Sequence, residues 1–341
     1  MPISTPAPAY TPEVERLTRP LYERIRHVIP EAEWAVHAPL IAAINELKRD
    51  RNAVILAHNY QAPEIAWGVA DYRGDSLGLA QHGAATAADV IVMCGVRFMA
   101  ETAKIMSPGK TVLLPDYEAG CSLAASITAA DVRRLRERYP GVPVVCYVNA
   151  YADVRAEVDI CCTSANAVKV VESLGTDRVI FLPDGYLGRY VASKTKVEVI
   201  LWEGACEVHE RFTPQDIRDF RAGRPGVHVM AHPECPPEVL READFVGSTS
   251  GMIRHIADER PKDVVLVTEC SMSDNVAVEF PEINFVRPCN LCPHMKRITL
   301  AKILQSLETL SPAIEIAPAV AAGARRSMQR MLDIGRASTT D

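Results

Sequence analysis

The chain has 341 residues, of which 48% are hydrophobic and 23% are charged, so it is long enough for two or three domains with a sizeable core. Its 37 Lys and Arg against 43 Asp and Glu give a net charge of −6, which argues against nucleic acid or an anionic membrane as a partner. No secretory signal is recognisable, and no apolar run approaches the roughly 20 residues that a membrane span needs. We therefore expect a cytoplasmic protein whose ten cysteines are metal ligands, reactive thiols or buried apolar residues.

Two segments of helical periodicity open the chain, at 12–29 and 32–50, and are expected to cover one face of the adjoining domain. From residue 53 the pattern changes to short aliphatic runs separated by helix-length segments. Nine such runs occur, at 53–58, 89–94, 111–115, 143–148, 178–183, 197–202, 227–232, 263–268 and 283–288. Because they are rich in Val and Ile and do not alternate with polar residues, they predict strands of parallel sheets buried between helices. Two further helices are predicted at 293–308 and 322–334.

Polar residues recur around these strands in three sets, each in the same order. After the first strand of each set come two polar residues separated by one position: His58 and Tyr60, Tyr147 and Asn149, and His232 and Glu234. A hydroxyl residue then opens a helix in each set: Ser76, Ser164 and Thr249. A cysteine closes each set: Cys121, Cys206 and either Cys289 or Cys292. Since Cys206 lies 85 residues after Cys121 and 86 before Cys292, the pattern indicates three copies of one α/β unit.

The three units are predicted at 51–127, 128–212 and 213–308. A tail with covering helices precedes them at 1–50, and a C-terminal helix and tail come after them at 309–341. In parallel α/β sheets, ligands bind beyond the carboxyl ends of the strands, which is where the recurring polar residues lie. Three such edges turned toward one another would place a single active site at the common interface of the units.

Three thiolates that meet in one pocket can hold a zinc ion or an iron–sulfur cluster. A zinc site usually has four ligands with one pair close in sequence, whereas here each unit contributes one distant thiol. Three thiolates suit a [4Fe–4S] cluster whose fourth iron stays open to act as a Lewis acid. Cys289 and Cys292 also form a C-x-x-C pair, but no thioredoxin-like context surrounds it.

Each of these residues also has a plain structural interpretation. A lone cysteine is usually a small buried apolar residue, which we expect of Cys94 and Cys146 inside their strands. Four more cysteines flank loops and have no counterpart in the other copies: Cys161, Cys162, Cys235 and Cys270. The hydroxyl residues are N-caps by default, although helix N-termini also bind phosphate and carboxylate. The histidines, tyrosines and glutamate at strand ends serve acid–base chemistry only if they face a pocket.

The motifs AHNYQ, GDSLGLA, EAGCSLA, YVNAYADVRAEVDICCTSANA, GACEVHERFT, AHPEC, GSTSGM and CPHM occur in this order. Together they resemble the quinolinate synthase family of NAD (pyridine nucleotide) biosynthesis, over roughly residues 35–335. The resemblance implies a transferase that joins iminoaspartate (iminosuccinate) to dihydroxyacetone phosphate, with loss of phosphate and water, to give quinolinate. It also implies three similar three-layer α/β/α domains around a pseudo-threefold axis.

The resemblance further implies a [4Fe–4S] cluster held by three metal ligands, Cys121, Cys206 and Cys292, with Cys289 as the spare cysteine. Some members carry a C-x-x-C-x-x-C around the last ligand; its first position here is Val286, so no regulatory disulfide of that kind is expected. The implied substrate-binding residues are His58, Ser76, Tyr147, Asn149, Ser164, His232, Glu234, Thr249 and Met295. The implied catalytic residues are Tyr60, Glu234 and His209, of which Tyr60 and Glu234 are our choices for proton transfer.

Two other functions stay open at this point. Another cluster-dependent hydro-lyase would act on a single hydroxy acid and would need no phosphate site. A non-catalytic iron–sulfur sensor would leave the polar pairs and the helix-opening hydroxyls without a purpose. For the synthase, a transient contact with L-aspartate oxidase, the source of unstable iminoaspartate, is a further expectation from the resemblance.

Overall fold

The computed structural model of the chain describes residues 9–288 and 290–336, with backbone alone for the last two. Twelve strands form three separate four-stranded sheets within this part of the chain. The first contains β1 Ala53–His58, β2 Tyr72–Gly74, β3 Val90–Cys94 and β4 Thr111–Leu113. The second contains β5 Val144–Tyr147, β6 Ile160–Cys162, β7 Arg178–Leu182 and β8 Glu198–Leu201. The third contains β9 His228–Ala231, β10 Phe245–Val246, β11 Asp263–Val267 and β12 Asn284–Val286.

The three sheets have the same topology. Their strand orders are β2-β1-β3-β4, β6-β5-β7-β8 and β10-β9-β11-β12, and every pair within them is parallel. The predicted fold, three similar α/β/α domains with parallel sheets, is confirmed. Which residue ends one domain and begins the next stays a prediction.

Helices separate the strands and flank the sheets. The described helices are α1 Pro12–Ile25, α2 Glu31–Asp50, α3 Pro63–Ala66, α4 Ser76–Ala85, α5 Arg97–Met106, α6 Ala129–Arg138, α7 Ala152–Ala156, α8 Ala167–Ser173, α9 Gly185–Ala192, α10 Pro214–Gly223, α11 Pro237–Leu240, α12 Thr249–Glu259, α13 Ser271–Glu279, α14 Leu300–Thr309 and α15 Pro318–Arg336. Helix α14 packs on α2, and α15 packs on the second domain against α7 and β6. None of these helices is long and apolar enough to cross a membrane.

The structure corrects the sequence-based elements in two places. Each sheet has a fourth strand, β2, β6 or β10, where the aliphatic runs indicated three. These strands have two or three residues and lie at sheet edges, so they lack the apolar run that reveals a buried strand. The helix predicted at 293–308 begins only at Leu300, after a 3₁₀ turn at Met295–Arg297, because Thr299 caps it through the amide of Lys302.

One carboxylate in each domain ties the first strand to the edge strand. Asp71, Asp159 and Asp244 each stand directly before the edge strand and accept a 2.8 Å hydrogen bond from a first-strand amide. A basic residue of the preceding helix completes each contact: the pairs are Lys48 with Asp71 at 2.8 Å, Arg136 with Asp159 at 2.9 Å and Arg221 with Asp244 at 3.0 Å. In all three copies, therefore, the same contact through one carboxylate connects the helix, the first strand and the edge strand.

The segment after the last strand is also repeated. Each of the three cysteines at positions 121, 206 and 292 is followed by a turn and, seven residues later, by a threonine that caps a helix. The three capping residues are Thr128, Thr213 and Thr299. Because the cap fixes where the helix begins, it also fixes where the segment that carries the cysteine ends.

We predict that Asp159→Ala destabilises the protein by about 1–3 kcal/mol, because the buried amide of Val144 loses its acceptor while Arg136 loses its carboxylate partner. The exposed Asp219, which bonds only Gln215 on its own helix, supplies the control: Asp219→Ala should change stability by less than about 0.5 kcal/mol. Urea unfolding followed by circular dichroism measures both. Equal midpoints for the two variants would contradict this role of Asp159.

Candidate active site

A cavity lies where the carboxyl ends of the three sheets face one another. Residues from all three domains line it. They include every site residue expected from the sequence: His58, Tyr60, Ser76, Cys121, Tyr147, Asn149, Ser164, Cys206, His209, His232, Glu234, Thr249, Cys292 and Met295. Their individual roles stay predictions, but none of them lies elsewhere in the fold.

The histidines at the ends of β1 and β9 have the same local geometry. Nδ1 of His58 accepts the amide of Tyr60 at 3.2 Å, and Nδ1 of His232 accepts the amide of Glu234 at 3.4 Å. Burial lowers the pKa of His58 to about 4 and that of His232 to about 3. Both rings are therefore neutral at pH 7, with the proton on Nε2 and a donor available to the cavity.

The helix-opening hydroxyls are not N-caps, which corrects the default interpretation. Asp75 caps α4 by accepting the amide of Gly78 at 2.8 Å, and Ser248 caps α12 through the amide of Gly251 at 3.1 Å. Ser76 is therefore the first helical residue of α4, and it lines the cavity instead of capping the helix.

The other two hydroxyl residues also line the cavity without capping a helix. Thr249 is the first residue of α12, in the position that Ser76 has in α4. Ser164 lies in a turn three residues before α8, a helix that begins only after Asn166. The three residues therefore share a register in sequence and a common cavity, but they do not share one local structure.

Glu234 is the centre of a buried hydrogen-bond network. The Tyr147 hydroxyl donates to Oε1 at 2.6 Å and the Asn149 amide reaches the same oxygen at 3.3 Å, while Nδ1 of His209 lies 2.9 Å from Oε2. Burial by itself would raise the pKa of this carboxyl, but the neighbouring His209 and the hydrogen bonds from His209 and Tyr147 lower it below its usual range. Glu234 is thus a carboxylate held in one orientation.

The two tyrosines are fully protonated donors. Burial raises the pKa of Tyr60 and of Tyr147 well above the ordinary value, and the negative charge of Glu234 raises both further. Aromatic rings hold Tyr60 from two sides: His58 meets it edge-on at 4.6 Å between centroids, and His209 lies tilted at 6.3 Å. His209 in turn stacks on His232 at 4.8 Å.

The three thiols share one local structure. In each segment the backbone amides two and three residues later lie near the sulfur and lower the pKa of the thiol. These amide pairs are Leu123 and Ala124 for Cys121, Val208 and His209 for Cys206, and His294 and Met295 for Cys292. Amide donors of this kind favour a thiolate, and thiolate is the form that binds metal.

Burial opposes that effect in the absence of a cation. It raises the pKa of Cys121 to about 12 and raises those of Cys206 and Cys292 as well. Since a metal ligand must lose its proton, a bound cation would supply the positive charge that three buried thiolates require. Three thiols from three domains, each with preformed amide donors, therefore fit a thiolate-bound iron–sulfur cluster.

A second metal-ligand set overlaps with these thiols. The ligand atoms of Cys206, His209 and Glu234 lie within 4.8 Å of one another. However, Nδ1 of His209 and both oxygens of Glu234 already take part in the hydrogen bonds described above. A single ion on this set would also leave the thiols of Cys121 and Cys292 unused.

The other cysteines that the structure describes do not line the cavity. Five of them are buried among strands and loops of the core: Cys94, Cys146, Cys161, Cys162 and Cys235. Cys270 is half-buried, and its backbone amide donates to the carbonyl oxygen of Asn290. Cys289 lies outside the described residues.

Sequence reasoning missed three side chains at the edge of the site. Thr268 and Glu269 come directly after β11, and Glu269 lines the cavity. Lys296 is next to Met295, and its ammonium contacts Glu269 at 3.1 Å and the carbonyl oxygen of Tyr60 at 2.8 Å. The sequence contains a signal for Thr268 and Glu269, since both are polar residues at a strand end, but they follow β11 and not the first strand of the unit, where the repeated polar residues lie.

This fold and site define a class of protein: an enzyme of three repeated α/β domains that encloses titratable side chains and three thiols in one cavity. Comparison with known sequences identifies the family. The family described as Quinolinate synthetase A protein matches residues 42–333. The chain therefore belongs to the quinolinate synthase family, as its motifs indicated.

Several relatives are similar over nearly their whole length. Quinolinate synthase 1 of Mesorhizobium japonicum is 63% identical over 312 residues, which cover 92% of this chain and 96% of the relative. Quinolinate synthase of Agrobacterium fabrum is 61% identical over 92% of this chain and 91% of its own. Quinolinate synthase of Sinorhizobium medicae is 54% identical over 97% and 92% respectively.

The neutral histidines make stability depend on pH in a defined direction. His58 binds its proton near pH 4 in the folded state and near 6.5 when unfolded, so acid favours the unfolded chain. We predict that the stabilisation is complete above pH 6.5 and that about 3 kcal/mol is lost as the pH falls to about 4. His58→Gln should reduce this loss.

Guanidinium unfolding at half-unit pH intervals measures the effect. The exposed His82 provides the control, because His82→Gln removes an imidazole at the protein surface. If the stability of the His58 variant depends on pH as that of the wild type does, the pKa of His58 is not lowered in the folded protein.

Proposed function

We propose that the protein condenses iminoaspartate with dihydroxyacetone phosphate to form quinolinate, with loss of phosphate and water, in NAD biosynthesis. The observation that carries this proposal is the convergence of polar residues from three domains on one cavity, in a chain of the quinolinate synthase family. The relatives named above carry the same activity in their names.

The cavity suits a substrate with several anionic groups. Nε2–H of His58 and of His232 offers a neutral donor from two different domains. The hydroxyl residues Ser76, Ser164 and Thr249 line the same space, and Asn149 adds an amide. Neutral donors bind carboxylate and phosphate oxygens less tightly than a positively charged side chain does, so they do not retain the product. We assign these residues, with Tyr147 and Met295, to substrate binding.

We propose that Cys121, Cys206 and Cys292 hold a [4Fe–4S] cluster, which their shared amide–sulfur geometry supports. When bound, such a cluster would supply an open Lewis-acidic iron beside the substrate. The cysteines would hold it at the meeting point of the three domains, so that it also ties the domains together.

Proton transfer is assigned to Glu234 and Tyr60, with His209 between them. Glu234 is a carboxylate and therefore the base that removes a proton from bound substrate. Tyr60 keeps its proton and is the donor to a departing oxygen. The hydrogen bonds from Tyr147 and His209 keep the carboxylate turned toward the cavity while it acts.

We also propose the cytoplasm as the site of the reaction and a transient contact with L-aspartate oxidase. A thiolate-held cluster requires reduced cysteines, and a reducing compartment keeps them so. Iminoaspartate is unstable in water, so a short path from the enzyme that forms it would be an advantage. Glutaraldehyde cross-linking of the two purified enzymes during turnover, with heat-inactivated oxidase as control, tests the contact.

The cluster assignment predicts the effect of removing single thiols. After anaerobic purification, Cys121→Ala, Cys206→Ala and Cys292→Ala should each lose most of their iron and sulfide and the brown colour of the wild type. Cys146→Ala serves as the matched control, because this thiol is buried in β5 and its removal should leave iron unchanged. Full iron in any one of the three variants would remove that cysteine from the ligand set.

The catalytic assignment predicts a separate effect. Glu234→Gln keeps the size of the side chain but removes the base, so kcat should fall by roughly 10²- to 10⁴-fold while iron per chain stays at the wild-type value. Glu238→Gln, on the exposed side of α11, is the control. Quinolinate formation from the two substrates under anaerobic conditions is the measurement. An iron-loaded wild type that forms no quinolinate would overturn the proposed function itself.

A further inference from the structure

The loop that follows β1 brings Tyr60 into the cavity, and the third domain holds its backbone. The three successive carbonyl groups of Asn59, Tyr60 and Gln61 all accept hydrogen bonds from side chains of that domain. A loop normally runs over the protein surface, where water satisfies its carbonyl groups. These three residues are buried, so side chains of another domain take the place of water.

Asn275 of α13 makes two of the three contacts. It is 6% exposed, and its Nδ2 donates to the carbonyl oxygen of Asn59 at 3.0 Å and to that of Gln61 at 2.7 Å. A side-chain amide nitrogen carries two protons, so both are used. One side chain therefore fixes the backbone on both sides of Tyr60, the residue to which we assign proton donation.

Lys296 makes the third contact. Its Nζ donates to the carbonyl oxygen of Tyr60 at 2.8 Å and to Oγ of Ser271 at 2.6 Å, and lies 3.1 Å from Oε1 of Glu269. Three partners match the three protons of an ammonium group, so its position is fixed. Oε1 of Glu269 also accepts the amide of Cys292 at 3.3 Å. The contact thus extends from the Tyr60 backbone to the segment that carries the third thiol.

The first domain supplies partners only for the amides of this loop among the contacts described. The amide of Asn59 donates to the carbonyl oxygen of Gly74 at 3.1 Å. Those of Tyr60 and Gln61 donate to Nδ1 and to the carbonyl oxygen of His58, at 3.2 and 2.9 Å. One domain therefore holds the N–H groups and the other holds the C=O groups, so the place of Tyr60 depends on both.

We infer that Asn275 and Lys296 are positioning residues, which hold the backbone of Tyr60 from the third domain so that its phenol meets the substrate. This inference rests on the function proposed above. Neither side chain lines the cavity, so each acts through Tyr60 and not on the substrate. Exact placement matters because a shift of about 1 Å in a reacting group can cost roughly 100-fold in rate.

Asn275→Leu is the first test. It keeps the approximate size of the side chain and removes both donors, so two buried carbonyl groups lose their partners. We expect kcat to fall roughly 10- to 100-fold. KM for both substrates should stay within about threefold, because Asn275 does not line the cavity. Asn45→Leu is the matched control: Nδ2 of Asn45 also donates from a helix to a carbonyl oxygen, that of Gly68 at 2.9 Å, but within the first domain.

Lys296 is tested in a double variant. Lys296→Met combined with Glu269→Gln removes the ammonium without leaving a buried carboxylate unpaired. Its kcat should lie roughly tenfold below that of Glu269→Gln alone. Iron and sulfide per chain are measured for every variant, and Asn275→Leu should equal the wild type. Unchanged kcat in Asn275→Leu, an equal loss in Asn45→Leu, a loss that parallels the iron content, or a double variant as fast as Glu269→Gln would each overturn the inference.

A second measurement is independent of activity. Amide hydrogen exchange of the anaerobic holoprotein is followed by mass spectrometry. Peptides that span residues 59–62 should exchange roughly tenfold faster in Asn275→Leu than in the wild type, while those that span 90–94 in β3 keep their rate. An unchanged rate at 59–62, or an equal rise throughout the protein, would refute the positioning role. If the wild type forms no quinolinate but exchange rises at 59–62 alone, the proposed function fails and the contact of Asn275 with this loop stands.

Discussion

All strands of the three sheets run parallel within their own sheet, and every functional side chain of the cavity depends on that constraint. A parallel sheet has one edge where its strands end, and the loops that leave this edge carry the polar residues. Here three such edges face one another, so His58, Tyr147 and His232 meet although they are far apart in sequence. The carboxylates of Asp71, Asp159 and Asp244 keep each first strand in the same register relative to its edge strand.

The chemistry of the cavity results from burial combined with pairing. Burial keeps His58 and His232 neutral and Tyr60 and Tyr147 protonated, so the site presents donors without fixed positive charge. Glu234 stays ionised in the same surroundings because its two oxygens accept hydrogen bonds from Tyr147 and His209. An ionised carboxylate and protonated phenols thereby lie in one cavity, which is the arrangement that general acid–base catalysis needs.

Each domain is incomplete on its own at this site. The Glu234 network takes its partners from the second domain, the Tyr60 hydroxyl takes its partner from the third, and Lys296 of the third contacts the Tyr60 backbone of the first. One thiol comes from each domain, so a metal centre would form only when all three are in place. The proposed activity is therefore a property of the assembled interface, because no single α/β unit contains both the proposed acid–base pair and a complete ligand set.

Local pattern was enough to predict the strands, the threefold repeat and the residues at the ends of the first strands, because the apolar runs and the regular spacing of polar residues are properties of the chain itself. The short edge strands were not predicted, since their stability depends on neighbours that the sequence does not place. The N-caps at Asp75 and Ser248 are local contacts, but each lies one residue before the hydroxyl residue that the repeat singles out. Tertiary structure alone decided that Thr268 joins Tyr60 to His209 and that Glu234 stays ionised. Both depend on buried atoms from different domains that meet within about 3 Å, and spacing along the chain contains no such distance.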